Sequence, residues 1–112
     1  DHVSIVIQVW NQWPMTQACL ASLRPTLRAA DQVIVVDNAS HDDTPAGLAR
    51  MAWVTTIANA TNRGFATSCT QGAALATGAT VVFLNNDTLL PDDWHTGLLA
   101  PFADASVFAT GP

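Results

Sequence analysis

The sequence predicts an α/β fold with three layers, helices on both faces of a mainly parallel sheet. Three observations carry this expectation. Short β-branched runs recur along the chain, each bounded by polar or helix-forming residues. Segments with helical spacing of apolar residues lie between them. Two of the runs, Val33–Val36 and Val81–Leu84, are apolar throughout rather than alternating, the mark of strands buried on both faces, as in a parallel sheet covered by helices. The resulting order, β-α-β-α-β-α-β-α-β, implies right-handed crossovers. At 112 residues and 49% hydrophobic content, one domain spanning residues 1–112 is expected, with enough apolar material for a core.

Each element has its own justification. "VSIVIQV" (Val3–Val9) is a β-branched run and reads as the first strand. From Met15 to Arg28, Cys19, Leu20, Leu23 and Leu27 recur at helical spacing, and Pro25 should distort that helix near its end. "VIVV" (Val33–Val36) is a second strand. Thr44 followed by Pro45 reads as an N-cap and a proline at the first helical position. "WVTTIA" (Trp53–Ala58) is a weaker strand. The Ala-rich segment Phe65–Ala76 reads as a helix, with Gly78 as its stop. "VVFL" (Val81–Leu84) is the next strand. Pro91, Asp92 and Asp93 open a further helix that ends before Pro101, and "SVFAT" (Ser106–Thr110) closes the chain as a strand.

Composition removes several function classes. A net charge of −5 argues against a general nucleic-acid or membrane-surface binder. All acids are Asp, all strong bases are Arg, and Lys, Glu and Tyr are absent. A G-x-x-x-x-G-K-[ST] phosphate loop and Schiff-base chemistry both need a Lys. Cys19 and Cys69 have no CxxC spacing and no nearby His, so they read as small buried thiols rather than metal ligands. His41 and His95 lack metal-ligand spacing and read as surface residues. No run of about 18 apolar residues is present, so no membrane segment is expected in this chain.

In open α/β sheets ligands bind beyond the carboxyl ends of the strands. Trp10, Asn11 and Gln12 follow the first strand, Asp37, Asn38 and Ser40 the second, and Asn85, Asn86 and Asp87 the fourth. Short polar side chains thus converge on one sheet edge from three strands. Asp42 and Asp43 read as solvated loop acids, and Asp92 and Asp93 as helix-start acids that complement the macrodipole. In "NRGFATSCTQG" (Asn62–Gly72), Gly64 stands before a helix with Arg63 beside it. Backbone N–H groups at a helix start, with an Arg at hand, favour a phosphate. The four Trp read mostly as core or rim residues, with flanking a pocket as the alternative for Trp10 and Trp13.

The segments "VSIVIQVWNQWPMTQACLASL", "VIVVDNASHDDT", "NRGFATSCTQGAALATGATVVFLNNDTLLPDDW" and "VFATGP" together resemble the N-terminal half of the inverting glycosyltransferases of family 2, most closely the rhamnosyltransferase-like members. The resemblance covers nearly the whole chain. It implies a Rossmann-like, GT-A nucleotide-binding half that stops before the acceptor-binding half. The general base is then expected beyond residue 112. Together with the strand-end reading, it places the nucleotide-sugar contacts at Val9, Asn11, Asp37, Asn38, Arg63, Gly64, Asn85 and Asn86. Asn85-Asn86-Asp87 stands where the family has its DXD motif. Asp87 would hold Mn²⁺ or Mg²⁺ against the donor diphosphate. One carboxylate suffices where phosphates and water supply the other ligands. The implied partner is a UDP-, dTDP- or GDP-sugar donor. A homodimer through an exposed sheet edge is a further expectation, as is a cytoplasmic location with membrane association through other parts of the parent protein. The chain departs from the family pattern at Gln8, where Pro is usual, at Trp10, where Tyr is usual, and at Thr70, where Asn is usual.

Two other classes compete. One is a non-catalytic nucleotide- or protein-binding module that keeps the fold. The other is a phosphorelay receiver, since "VIVVDN" ends a strand on an Asp. The absence of Lys counts against the receiver.

Overall fold

A computed structural model describes residues 3–77, 80–86 and 107–110, with Asn85 and residues 107–110 described through their backbone. The strands are β1 (Val3–Val9), β2 (Gln32–Asn38), β3 (Val54–Asn59), β4 (Thr80–Asn85) and β5 (Val107–Thr110). The helices are α1 (Trp13–Leu23), α2 (Thr44–Ala49) and α3 (Gly64–Leu75). They form one sheet in the order β3-β2-β1-β4-β5. The β1–β2, β1–β4 and β2–β3 pairs are parallel, and β5 adds antiparallel to β4. The expected mainly parallel architecture is therefore present. The helix expected after Pro91, the stop at Gly78, and Asp87 lie outside the described residues.

Strand parity divides the core. Val3, Ile5, Ile7 and Val9 of β1, with Val33 and Val35 of β2, face one side, where they pack with Cys19, Leu20 and Leu23 of α1 and Leu48 of α2. Val6, Ile34 and Val36 face the other side. There α3 lies so close that a Cβ on Gly72 would overlap the Val6 side chain. The two faces make three layers. Each fully buried Val, Leu or Ile contributes about 1.5–3 kcal/mol, so the continuous apolar runs explain why these segments form central strands.

The boundaries differ from the sequence expectations for identifiable reasons. The first helix starts two residues early and stops at Leu23, followed by a 3₁₀ turn over Arg24–Thr26. Pro25 has no N–H to give to the carbonyl of Ala21, so the α-ladder cannot continue. Strand β2 runs on through Asp37 and Asn38, which makes both of them strand residues. Helix α3 ends at Leu75 because Ala76 is extended (φ −69°, ψ 135°). Thr44 is the first residue of α2 rather than its cap, and no side chain caps α2 from the N-cap position. Among the described residues no helix is long and apolar enough to cross a membrane.

The two loops at the carboxyl edge, after β1 and after β2, are tied to each other. Asp42 is an exposed loop acid, as expected, and it also serves two helix starts. Its Oδ2 accepts from the backbone N–H of Trp13 at 3.0 Å, and its Oδ1 from that of Thr44 at 2.9 Å. Partial desolvation opposes its charge. The nearby Thr44 hydroxyl and the backbone N–H groups of Trp13 and Thr44 outweigh that, and hold the carboxyl below its ordinary pKa. Beside it, the Asn11 N–H donates to Ser40 Oγ at 2.7 Å and the His41 N–H to Asn11 Oδ1 at 2.7 Å. Asn11 and Gln12 are both left-handed (φ 53° and 59°), which turns the chain sharply enough to bring the α1 N-terminus to Asp42.

Two outcomes follow. Gly72→Ala gains helix propensity of up to about 1 kcal/mol, but the overlap with Val6 costs about 1–3 kcal/mol, so denaturant unfolding shows a net loss. Adding Val6→Ala to it gives a non-additive, partly compensated double variant. Asp42→Asn is less stable than wild type at neutral pH. A carboxyl with a depressed folded pKa contributes stability above the ordinary carboxylate pKa and loses it as pH falls through the folded value. The gap between the two proteins in acid titrations of stability therefore narrows below about pH 4.

Candidate functional site

Strand order fixes where a ligand fits. From β1 the chain builds outward to β2 and β3, and then returns over α3 to place β4 on the other flank of β1. The order reverses at β1, and the crevice outside the carboxyl ends of β1 and β4 is the topological switch point. Register brings the predicted residues there together: Val9 lies opposite Asp37, and Gln8 opposite Asn85. The ends of three adjacent parallel strands thus present Asn11, Asp37 and Asn85–Asn86 at one edge.

The side chains have different freedoms. Val9 is buried in the core at 1% exposure, so only its backbone reaches the edge. Asp37 is 3% exposed, and its Oδ1 accepts from the Ser40 N–H at 3.1 Å. Asn11 is half-buried and committed to the loop-to-loop bonds. Asn86 Nδ2 donates to Thr16 Oγ1 at 3.1 Å, which ties the end of β4 to α1. Arg63 is exposed, and no described side chain pairs with its guanidinium. Two of the other cations are occupied: Arg28 pairs with Asp31 at 3.3 Å, and Arg24 stacks on Trp53 at 5.2 Å. Gly64, next to Arg63, has φ +81°, a conformation that favours glycine. Trp10 is 50% exposed and Phe65 53%, so two large apolar side chains are presented near the same edge.

Asn38 behaves unlike a ligand contact. Strand alternation turns its side chain away from Asp37, onto the α3 face, where it is fully buried. Its Nδ2 donates to Gln8 Oε1 at 2.8 Å and to Ser68 Oγ at 2.7 Å. Its Oδ1 accepts from Asn59 Nδ2 at 2.9 Å and from the Arg63 N–H at 3.4 Å. Those four bonds fill both amide donors and both lone pairs. Asn59 and Gln71 exchange two further amide bonds, each 2.9 Å. Sequence reading missed Gln8, Asn59, Ser68 and Gln71 as partners. The signal available was an unusual density of amides on strand ends.

Other chemistries find little support. Among the described residues no group of three or more His, Cys, Asp or Glu is placed to hold a metal ion. Burial pushes the Cys69 thiol up, which makes it a poor nucleophile. One broad groove of about 970 Å³ is lined by Gln17, Leu20, Arg24, Arg50, Met51 and Trp53 among others. It lies by the second half of α1 and the approach to β3, at the amino edge of the sheet. Ligands of such sheets bind at the opposite edge, so we place the site at the strand ends.

Comparison with known proteins identifies the family. The glycosyl transferase family 2 model matches residues 4–111. No match is found among the curated proteins. Among solved structures, the mannosyltransferase PcManGT from Pyrobaculum calidifontis, in complex with GDP-Man and Mn²⁺, is 28% identical with a TM-score of 0.80, over 91% of this chain and 32% of that one. TarS from S. aureus, in complex with UDP-GlcNAc, shares the fold at 19% identity and a TM-score of 0.78, over 91% of this chain and 31% of that one. The chain thus spans about a third of the length of these structures. With its mainly parallel sheet and a family match over nearly all its length, the chain belongs to glycosyl transferase family 2.

Proposed function

We propose that this domain binds the nucleotide-sugar donor of a glycosyltransferase that transfers the sugar to an acceptor hydroxyl with inversion. The observation that carries this reading is the delivery of Asn11, Asp37 and Asn85–Asn86 to one edge by three adjacent parallel strands, in a chain of this family. Asp37 and the Val9–Asn11 backbone face the base and ribose. Arg63 and the Gly64 turn face the diphosphate, where a free guanidinium pairs with phosphate oxygens. The backbone end of β4 at Asn85 lies by the ribose or sugar. Asn86 and Asn38 act by holding the backbone, since their amides are bonded within the protein. GDP-Man, UDP-GlcNAc and UDP in the similar structures support a donor of the nucleoside diphosphate class, with UDP, dTDP and GDP as the nucleotides to test.

The donor set suits a divalent ion only in part. In the sequence Asn85 and Asn86 are followed by one carboxylate, Asp87, which suits the mode in which Mg²⁺ or Mn²⁺ takes one protein carboxylate and completes its shell from phosphates and water. Asp87 would supply that carboxylate. The bound ion would neutralise charge that develops on the leaving diphosphate. Asp37, Asp31 and Asp42 accept backbone N–H groups, and Asp43 is exposed in the loop before α2; none of these described carboxylates is assigned as the base that deprotonates the acceptor. We expect that base beyond residue 112.

Calorimetry with UDP, dTDP and GDP in the presence of Mn²⁺ tests the reading. One of them binds, chelation of the metal weakens binding by about tenfold or more, and Asp87→Ala reproduces that loss without metal removal. Equal binding by Asp87→Ala removes the metal assignment. Absence of binding by all three removes the donor-site reading and favours the non-catalytic module.

A further inference from the structure

Asp37 and Asn38 are consecutive on β2 but address opposite faces of the sheet. Asp37 belongs to the crevice on the side of α1 and α2, and Asn38 reaches into the layer under α3. There it grips the start of α3 directly. Its Oδ1 accepts the N–H of Arg63 at 3.4 Å, and Arg63 is the N-cap residue of α3. Its Nδ2 donates to Ser68 Oγ at 2.7 Å, and that hydroxyl donates in turn to the carbonyl of Gly64 at 2.7 Å. Both residues of the Arg63–Gly64 turn are therefore hung from one side chain. Gln8, on the neighbouring strand, fixes that side chain from below by accepting its second N–H at 2.8 Å.

This network joins β1, β2, β3 and α3 through Gln8, Asn38, Asn59 and Gln71. It is shielded from water around Asn38 and Ser68, both fully buried. Hydrogen bonds in such surroundings are directional and hold position well. Beneath it Val6, Ile34 and Val36 form an apolar cluster that contains none of the network's side chains. Loss of one bond in the network therefore frees the turn before it frees the sheet.

We propose that Asn38 and Gln8 are positioning residues that set the Arg63–Gly64 turn at a fixed distance from Asp37, and so match the site to the diphosphate portion of the donor. This rests on the donor-site reading above. The nucleoside end is read by Asp37 and the diphosphate end by the turn, and the offset between them is the step from one β2 residue to the next. Gln8 thereby gains a task at a position where the family pattern has a residue without a carboxamide.

The test compares the full chain with Gln8→Met, which keeps length and removes the acceptor, and with Ser68→Ala, which removes the grip on the Gly64 carbonyl. Dissociation constants are measured with Mn²⁺ for the nucleoside mono- and diphosphates of uridine, guanosine and thymidine. Both variants are expected to weaken diphosphate binding by about tenfold, as for small misplacements of a binding group, and to change monophosphate binding by less than about twofold. Asp31→Ala serves as the stability control. Its carboxylate accepts the Val3 N–H at the far edge, so it lowers the melting temperature and leaves the diphosphate-to-monophosphate ratio unchanged. If wild type binds and the ratio in Gln8→Met and Ser68→Ala matches wild type, the positioning role is overturned and the donor site stands. If wild type binds none of the diphosphates, the donor site falls and this role falls with it.

Discussion

A buried carboxamide at the end of a central strand is the constraint on which the carboxyl edge depends. Asn38 is cut off from water, and each amide group left unmade there costs about 1–3 kcal/mol. Its four partners come from β1, β3, the turn before α3 and α3 itself. Satisfying one residue therefore fixes the relative heights of three strand ends and a helix start. Apolar packing alone would not do this, since hydrophobic contact is non-directional.

Topology supplies the second half of the arrangement. Because β4 returns to the free flank of β1, α1 and α3 leave the same edge on opposite faces. The crevice between them is a consequence of chain order, and side chains only furnish it. The Asn86–Thr16 bond closes this crevice on the α1 side, as the Asn38 network closes it on the α3 side. Gly72 against Val6 and Gly47 against the Trp13 ring let the helices sit close enough for those polar bonds to form.

Much of this is visible in the sequence. The β-branched runs give the central strands, because a run apolar on both faces has few other uses in a chain this short, whereas β3 (VTTIAN) is only partly buried and reads more weakly. The polar residues after the first, second and fourth strands do lie side by side at one edge, because those strands are parallel neighbours. The role of Asn38 was not legible. It depends on whether β2 ends at Val36 or continues, since one residue more or less changes the face to which a side chain belongs. Asp42 was not legible either. Its partners include Trp13, 29 residues away, and no local pattern distinguishes an exposed acid that caps two helices from one that makes no such bonds. Pro25 was legible as a disturbance, though the shortening of α1 to Leu23 required knowing that a 3₁₀ turn takes up the remainder.

The ties between the loop after β1 and the loop after β2 have a thermodynamic consequence. Asn11, Ser40, His41 and Asp42 cross-link the two segments before any ligand arrives. Immobilising a flexible side chain or loop on binding consumes affinity, and here that entropy is surrendered during folding. A small molecule entering the crevice meets walls that are already set, so the affinity it gains from each contact is not spent on ordering the protein. The same stiffness limits how far this part of the site can adapt to a differently shaped base, which makes the loops a source of selectivity as well as of affinity.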